Sequence, residues 1–292
     1  MRLYHISELE QLSGIKATTI RVWERRYDLI RPGRTDTNIR MYDDDQVRKL
    51  LNVSTLLASG MKISYIAELN DQELHSAVLD LKNGEGEGDD TALAFVNDMV
   101  GGMLEFDEAS FEKVYGAAVK KYGVFDAMLK VVYPFLQKIG LMWSVEDAMP
   151  VQEHFASSLV RRKLLAATDL LTVRRKSRNK FILMLPPGEW HEIGLLFANY
   201  IIRSKGGDTI YLGQNVPYEQ VPLIIEKAAV SHVLLFFTTR TEDGNLSGLR
   251  KRMQLPKDIS LLVAGSTAVL EDMQYGRHTH LLESPFELLN FL

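Results

Sequence analysis

The chain has 292 residues, 46% of them hydrophobic, a formal net charge of −4 and no cysteine. This is enough apolar material for two or three small cores, and it excludes general disorder, disulfides, thiolate nucleophiles and cysteine-ligated zinc or iron–sulfur centres. The start, MRLYHISELEQ, has no apolar core of signal-peptide length, and no run of about 18 apolar residues occurs, so a cytoplasmic chain without a membrane span is expected. Because the chain is acidic overall, any nucleic-acid binding must come from a local basic patch.

HISELEQLSGIKATTIRVWERRYDLIRP opens the chain. Ile6, Leu9 and Leu12 are spaced for one helix face, Ser13-Gly14 makes a turn, and Ala17, Ile20 and Trp23 repeat at helical spacing. The pattern predicts a helix-turn-helix whose second helix fits a major groove. Lys16, Thr18, Thr19, Arg21, Arg25 and Arg26 are left on its outer positions. From residue 16 to 42 there are seven Lys or Arg against three acids, a local excess of positive charge suited to phosphate contacts. The plainer reading of the charge alone is a helical hairpin with a solvated basic face.

The string IRVWERRYDLIRPGRTDTNIRMYDDDQVRKL settles that choice by its detail. It resembles the N-terminal domain of the MerR family of transcription regulators over roughly residues 1–70. The resemblance implies a recognition helix over 17–26 and a wing over 34–42, with Arg34, Arg40 and Tyr42 as further DNA contacts. It also implies binding as a homo-oligomer to double-stranded DNA. Asn38-Ile39 departs from the usual Gly-aromatic pair of the wing turn, although Asn tolerates left-handed backbone angles. The DNA-binding domain is expected over 1–75. KNGEGEGDD, residues 82–90, is glycine-rich and acidic, and a flexible linker is expected over 76–90. Most members of that family dimerise through a long helix after the DNA domain; here the helix is expected to end around Leu81 with a linker following, so dimerisation is expected to fall elsewhere.

Residues 91–178 are helical in pattern, interrupted near Gly123, Gly140 and Pro150, a length that fits about four helices in a bundle. This block contains WSVEDAMPVQEH: Trp143, nine residues, then Glu153-His154. Taken alone, these are a core Trp and a surface Glu-His pair.

After the basic turn RRKSRNK the period changes. KFILMLPP, DTIYLGQ, HVLLFFTT and ISLLVAGS are short apolar runs separated by helical stretches, which predicts an α/β domain with a parallel sheet over 179–292. The segment Glu189-x-His191-x-x-Gly194 follows the first of these strands, at the carboxyl end where open sheets bind ligands. Imidazole is a common metal ligand, and a neighbouring carboxylate would fix its tautomer. A lone loop histidine is the plainer reading.

The segment is similar to the D-x-H-x-x-G motif of the cobalamin-binding domain of methionine synthase and related proteins. That likeness implies His191 as the lower axial ligand on cobalt, and a nucleotide tail entering the sheet. Three departures stand out. Glu189 replaces Asp. Phe237-Thr238-Thr239 stands where a serine is expected, so Thr238 or Thr239 would supply the hydroxyl. Ala264-Gly265-Ser266 stands where a Gly-Gly pair is expected. The W-x9-EH pattern in turn resembles the CarH/LitR-type photoreceptor regulators, themselves MerR-type. There the Trp covers the upper face of the corrin, which implies that role for Trp143, with Glu153 and His154 lining the same face; Met142 and Met149 lie near in sequence. Ser144 replaces a histidine found after the Trp in some light-sensing relatives.

The resemblance covers essentially the whole chain. It implies a multidomain fold: an all-α winged helix-turn-helix, a four-helix bundle and a Rossmann-like α/β domain. The function implied is a transcription regulator, not an enzyme, with adenosylcobalamin controlling DNA binding and assembly as dimer or tetramer, and light breaking the cobalt–carbon bond. The alternative is a MerR-type regulator that keeps the fold but works without cobalamin, through another ligand or a protein partner. A cobalamin-dependent methyltransferase module is a third reading; it leaves the basic N-terminal helix unexplained. No Ser-His-Asp set, paired-carboxylate site or P-loop is recognisable.

Overall fold

The structure is a computed structural model, and it describes residues 3–83, 89–143, 150–172, 179–239, 248–270 and 278–292. It divides into two compact units, Met1–Leu159 and Val160–Leu292.

In the first unit, α1 (Ile6–Ser13) and α2 (Ala17–Tyr27) are joined through Gly14, whose φ of 72° lets the chain turn back within a few residues. Leu9 and Leu12 of α1 and Ile20 and Trp23 of α2 are buried, as the helical spacing requires. Glu10 locks the turn by accepting from the Ala17 backbone at 2.9 Å and from Lys16 Nζ at 3.0 Å. A short antiparallel wing follows, β1 (Gly33–Arg34) with β2 (Arg40–Met41). Asn38 turns it with φ 64°, the left-handed angle that asparagine tolerates where a glycine is usual.

Helix α3 (Asp44–Ala58) starts from a reciprocal cap: Gln46 N donates to Asp43 Oδ1 at 2.9 Å, and Asp43 N to Gln46 Oε1 at 3.0 Å. After the short α4 (Ile63–Ile66), α5 (Asp71–Asn83) continues well past residue 76. The expected linker over 76–90 is therefore helical up to Asn83, because Leu74 and Val78 are buried where α5 packs on α3 and α6. Residues 84–88 lie outside the described residues.

The bundle comprises α6 (Asp89–Leu104), α7 (Glu108–Ala127), α8 (Tyr133–Trp143) and α9 (Pro150–Asp169), with a π turn over Met128–Val132. Of the expected interruptions, Gly123 is a kink inside α7 and Gly140 sits within α8 without a break. Asn97 on α6 ties the bundle to α3. Its Nδ2 donates to Leu51 O at 3.0 Å and Thr55 Oγ1 at 2.8 Å, and its Oδ1 accepts from Lys138 Nζ at 2.7 Å. Burial lowers the Lys138 ammonium to about 8.

The second unit holds a parallel sheet in the order β4-β3-β5-β6-β7: β3 (Lys180–Met184), β4 (Asp208–Gly213), β5 (His232–Phe237), β6 (Ser260–Gly265) and β7 (Thr279–Leu282). β7 is a fifth strand that the sequence reading did not include. Ile182, Met184, Val233, Leu235, Leu261 and Val263 form a core on one face with Tyr218, α11 (Val221–Lys227) and α12 (Leu249–Arg252). Helix α10 (Ile193–Ser204) packs on β3, β4 and β5 and covers the other face; α13 (Thr267–Leu270) follows β6. The strand order reverses between β3 and β5, which makes their carboxyl ends the natural ligand crevice of such a sheet. No helix among the described residues is long and apolar enough to cross a membrane.

Candidate functional site

Two surfaces carry the chemistry. The first is the outer face of α2 and the wing. Lys16, Thr18, Arg21, Arg25, Arg26 and Arg34 are exposed, and Thr19 and Arg40 are partly exposed. Lys16 is paired with Glu10. Among the described residues, Arg21, Arg25, Arg26 and Arg34 enter no ion pair, so their charge is available to an anionic partner. Arg34 Nη1 instead donates to Asn38 Oδ1 at 2.6 Å and stiffens the wing tip.

Tyr42 departs from the expectation of a phosphate contact. It is 0% exposed, and its hydroxyl donates to Glu24 Oε1 at 2.6 Å. Burial and the Glu24 carboxylate raise its pKa. Arg40 Nε donates to the other oxygen, Glu24 Oε2, at 3.1 Å. Glu24 thus clamps the wing to α2. Tyr42 is a positioning residue because its ring completes the core beside Tyr4, to which it is joined by a backbone bridge.

The second surface is the reversal point of the sheet. Glu189 is fully buried there, and six donors surround its two oxygens. Oε1 accepts from Trp190 N at 2.9 Å, His191 N at 2.9 Å and His191 Nδ1 at 2.7 Å. Oε2 accepts from Thr238 N and Thr239 N at 2.8 Å and from Thr239 Oγ1 at 3.0 Å. Burial alone would raise this carboxyl, but the bonds from His191, Thr239 and Thr238 outweigh it and hold the group at about 2. An ionised Glu189 can only accept, so the Nδ1–H of His191 donates to it. The ring is thereby fixed in the tautomer whose Nε2 can bind a metal, and the side chain is 53% exposed. The loop is braced from the β4 side as well: Gly188 N donates to Asn215 Oδ1 at 2.9 Å and Gln214 Nε2 to Trp190 O at 2.6 Å.

Gly194, in the first turn of α10, is a close-approach glycine: a Cβ there would lie 2.2 Å from Phe236 Cζ. Gly265 has φ 156°, and a Cβ on it would meet the Phe237 carbonyl oxygen at 1.9 Å. Glu189, His191, Gly194, Thr238, Thr239 and Gly265 therefore gather at the ends of β3, β5 and β6. A bare metal ion needs several protein donors, and no group of three or more metal-binding side chains occurs among the described residues. One oriented imidazole suits a metal that arrives already held in a macrocycle. The donor fits a corrin-bound cobalt, while the space between Gly194 and β5 is filled by the Phe236 ring.

Glu153 and His154 lie in the first turns of α9, with His154 Nδ1 3.3 Å from Glu153 Oε2; the His154 side chain is 72% exposed and that of Glu153 20%. Gln152 Nε2 holds this turn to α6 through Leu104 O at 3.3 Å. Trp143 closes α8; its side chain and that of Met142, with all of Ser144 and Met149, lie outside the described residues.

Residues 4–73 match the MerR HTH family of regulatory proteins. That stretch is a MerR-type helix-turn-helix domain. Residues 96–167 match the B12 binding domain family, over the helices that carry the Glu153-His154 pair. Along most of its length the chain is similar to two repressors of Myxococcus xanthus. It is 28% identical to the HTH-type transcriptional repressor CarH over 91% of this chain and 90% of that one. It is 27% identical to the HTH-type transcriptional repressor CarA over 73% of this chain and 68% of that one. The fold matches that of a monomethylamine corrinoid protein of Methanosarcina barkeri with a TM-score of 0.52 at 17% identity, covering 65% of this chain and 92% of the other.

Three features of these sites are not marked in the sequence. Glu192, one residue after His191, is buried; it pairs with Arg161 Nη2 at 2.5 Å and accepts from the Tyr211 hydroxyl at 2.9 Å. Tyr211 is raised by burial and by Glu192. Arg161 Nε is buried without an acceptor, so the pair is not fully satisfied. In the sequence Glu24 is one of three acids that lower the local positive charge, and nothing in its spacing marks it as a clamp. Phe236 read as one more apolar strand residue. The alternation of Val233, Leu235 and Phe237 in one core does place Phe236 on the opposite face, and that was the available signal.

Proposed function

We propose that this regulator binds double-stranded DNA through α2 and the wing, and that a corrinoid on His191 controls that binding. The observation that carries the reading is the Glu189–His191 pair: a buried, ionised carboxylate orients one exposed imidazole at the reversal point of a parallel sheet. Bound alkylcorrinoid would supply a cobalt–carbon bond whose breakage changes what occupies the upper face. His191 would hold the cobalt. Glu189 would keep the imidazole directed, its Nδ1–H engaged so that Nε2 is left for the metal, with Thr238 and Thr239 fixing Glu189. Trp143, Glu153 and His154 are assigned to the upper face on the sequence motif alone. Adenosyl as the upper group, light as the signal, and a homo-oligomer as the DNA-bound form belong to the same reading. An effector acts in this way only if it binds one DNA-affinity state better than the other.

The test is to purify the protein in darkness and add adenosylcobalamin or adenosylcobinamide. After removal of excess, absorption, size-exclusion and DNA affinity are compared before and after green light. A retained, His191-dependent spectrum that shifts DNA affinity supports the reading. His191→Ala with unchanged spectrum and corrinoid affinity removes the cobalt ligand. The second reading, a regulator acting without corrinoid, is favoured by the Phe236 ring against Gly194, and it is the outcome if neither corrinoid is retained.

A further inference from the structure

We propose that Phe236 makes this site selective for corrinoids that lack the lower nucleotide tail. The proposal rests on the corrinoid reading above and names the ligand class within it. In an intact cobalamin the nucleotide hangs from the lower face of the ring. Once a protein imidazole takes the lower position on cobalt, that bulky tail must be stowed on the same side as the imidazole. Here that side is the carboxyl ends of β3, β5 and β6, where His191 stands.

Three features close those strand ends. The edge of the Phe236 ring abuts the first turn of α10, with ring carbons 2.2, 2.5 and 2.6 Å from where a Cβ on Gly194 would lie. The register partner of Phe236 on β6 is Ala264, so a methyl rather than a hydrogen flanks the ring on the neighbouring strand. At the next register position the Phe237 carbonyl oxygen accepts from Ser266 N at 2.9 Å and stands 1.9 Å from where a Cβ on Gly265 would lie, so backbone occupies the β5–β6 end. Both oxygens of Glu189 already face protein donors, so it offers the tail no hydrogen-bonding anchor. A tail-less corrinoid needs none of this space. It needs the His191 imidazole and an open surface around it, and Trp190 beside it is 59% exposed. The cleft that would distinguish the two ligands is filled by one aromatic side chain, which is partly exposed and held by packing alone.

The experiment titrates the full chain with aquacobinamide and with hydroxocobalamin, reading the visible spectrum and tryptophan emission. Cobinamide should bind at least about tenfold more tightly, the scale on which a filled apolar pocket discriminates. Phe236→Ala should narrow or reverse that ratio by opening the cleft, and His191→Ala should weaken both ligands. Phe236→Leu, a milder change, serves if the alanine variant loses its circular-dichroism signature; the wild-type ratio stands in either case. Hydroxocobalamin binding at least as tightly as cobinamide to the wild type overturns the assignment and leaves the corrinoid reading intact. A ratio unmoved in the folded Phe236 variants overturns it too. Failure of both corrinoids on the wild type and on the Phe236 variants overturns both inferences together.

Discussion

In the DNA-binding domain Glu24 accepts from Arg40 Nε and the Tyr42 hydroxyl; in the α/β domain Glu189 accepts from His191 Nδ1 and from four backbone amides. Each carboxylate joins two elements that are far apart in sequence, and each positions a recognition surface. The difference lies in the donors. Glu24 is met by side chains that could each adopt another rotamer, so the wing is held by a side-chain clamp. Glu189 is met mainly by amides whose positions the strand ends dictate, so the His191 loop is built into the sheet. A surface that follows the shape of a duplex tolerates the first arrangement. An axial metal ligand needs the second, because second-layer hydrogen bonds set its direction and basicity.

This contrast can be broken or sharpened by substitution. The largest effect is expected at Glu189. Glu189→Gln should cost about 3 kcal/mol at neutral pH, from the distance between about 2 and an ordinary carboxylate value. The sign follows from the depressed value. The contribution is present above the unfolded carboxylate range and disappears as pH falls through about 4.5 toward about 2. Denaturant unfolding of wild type and variant at pH 7, 4 and 2 should show the gap closing; a pH-independent gap contradicts it.

Next is the pair beside it. Arg161→Met leaves Glu192 buried with Tyr211 as its remaining partner among those described, and should cost about 2 kcal/mol, less than a fully buried pair because the arginine is partly exposed. Arg161→Lys should recover part of this loss in a thermal melt.

Tyr42→Phe removes one bond to a charged acceptor and should cost about 1.5 kcal/mol. Its DNA affinity should fall with no change in salt slope, since a positioning residue neutralises no phosphate. Arg25→Ala should leave stability within about 0.5 kcal/mol but flatten the slope of log K against log salt by about 1. If Tyr42→Phe flattens the slope, or Arg25→Ala does not, the assignments of clamp and contact are reversed.

Much of this was legible in the residues. Ile20 and Trp23 spaced along α2 required Thr18, Arg21 and Arg25 to face outward, and they do. Glu189-x-His191 after an apolar run required a histidine at a strand's carboxyl end. Other parts were not legible. The start of the linker is one: the glycine-rich stretch suggests 76–90, yet burial of Leu74 and Val78 carries the helix, legible to about Leu81, on to Asn83. THLL, the fifth strand, is too short to stand out without a neighbour to pair with.

The sequence by itself determined the periodicities, the basic stretch before the wing, and the order of DNA-binding helices, bundle and parallel sheet, because each of these is a local pattern along one element. Only the tertiary structure decided that Tyr42 turns inward to Glu24, that Arg161 finds Glu192, and that the Phe236 ring rests on Gly194. Those partners lie 18 to 42 residues apart, and which of several polar or aromatic side chains meet across such distances depends on how whole elements dock, a matter on which local spacing is silent.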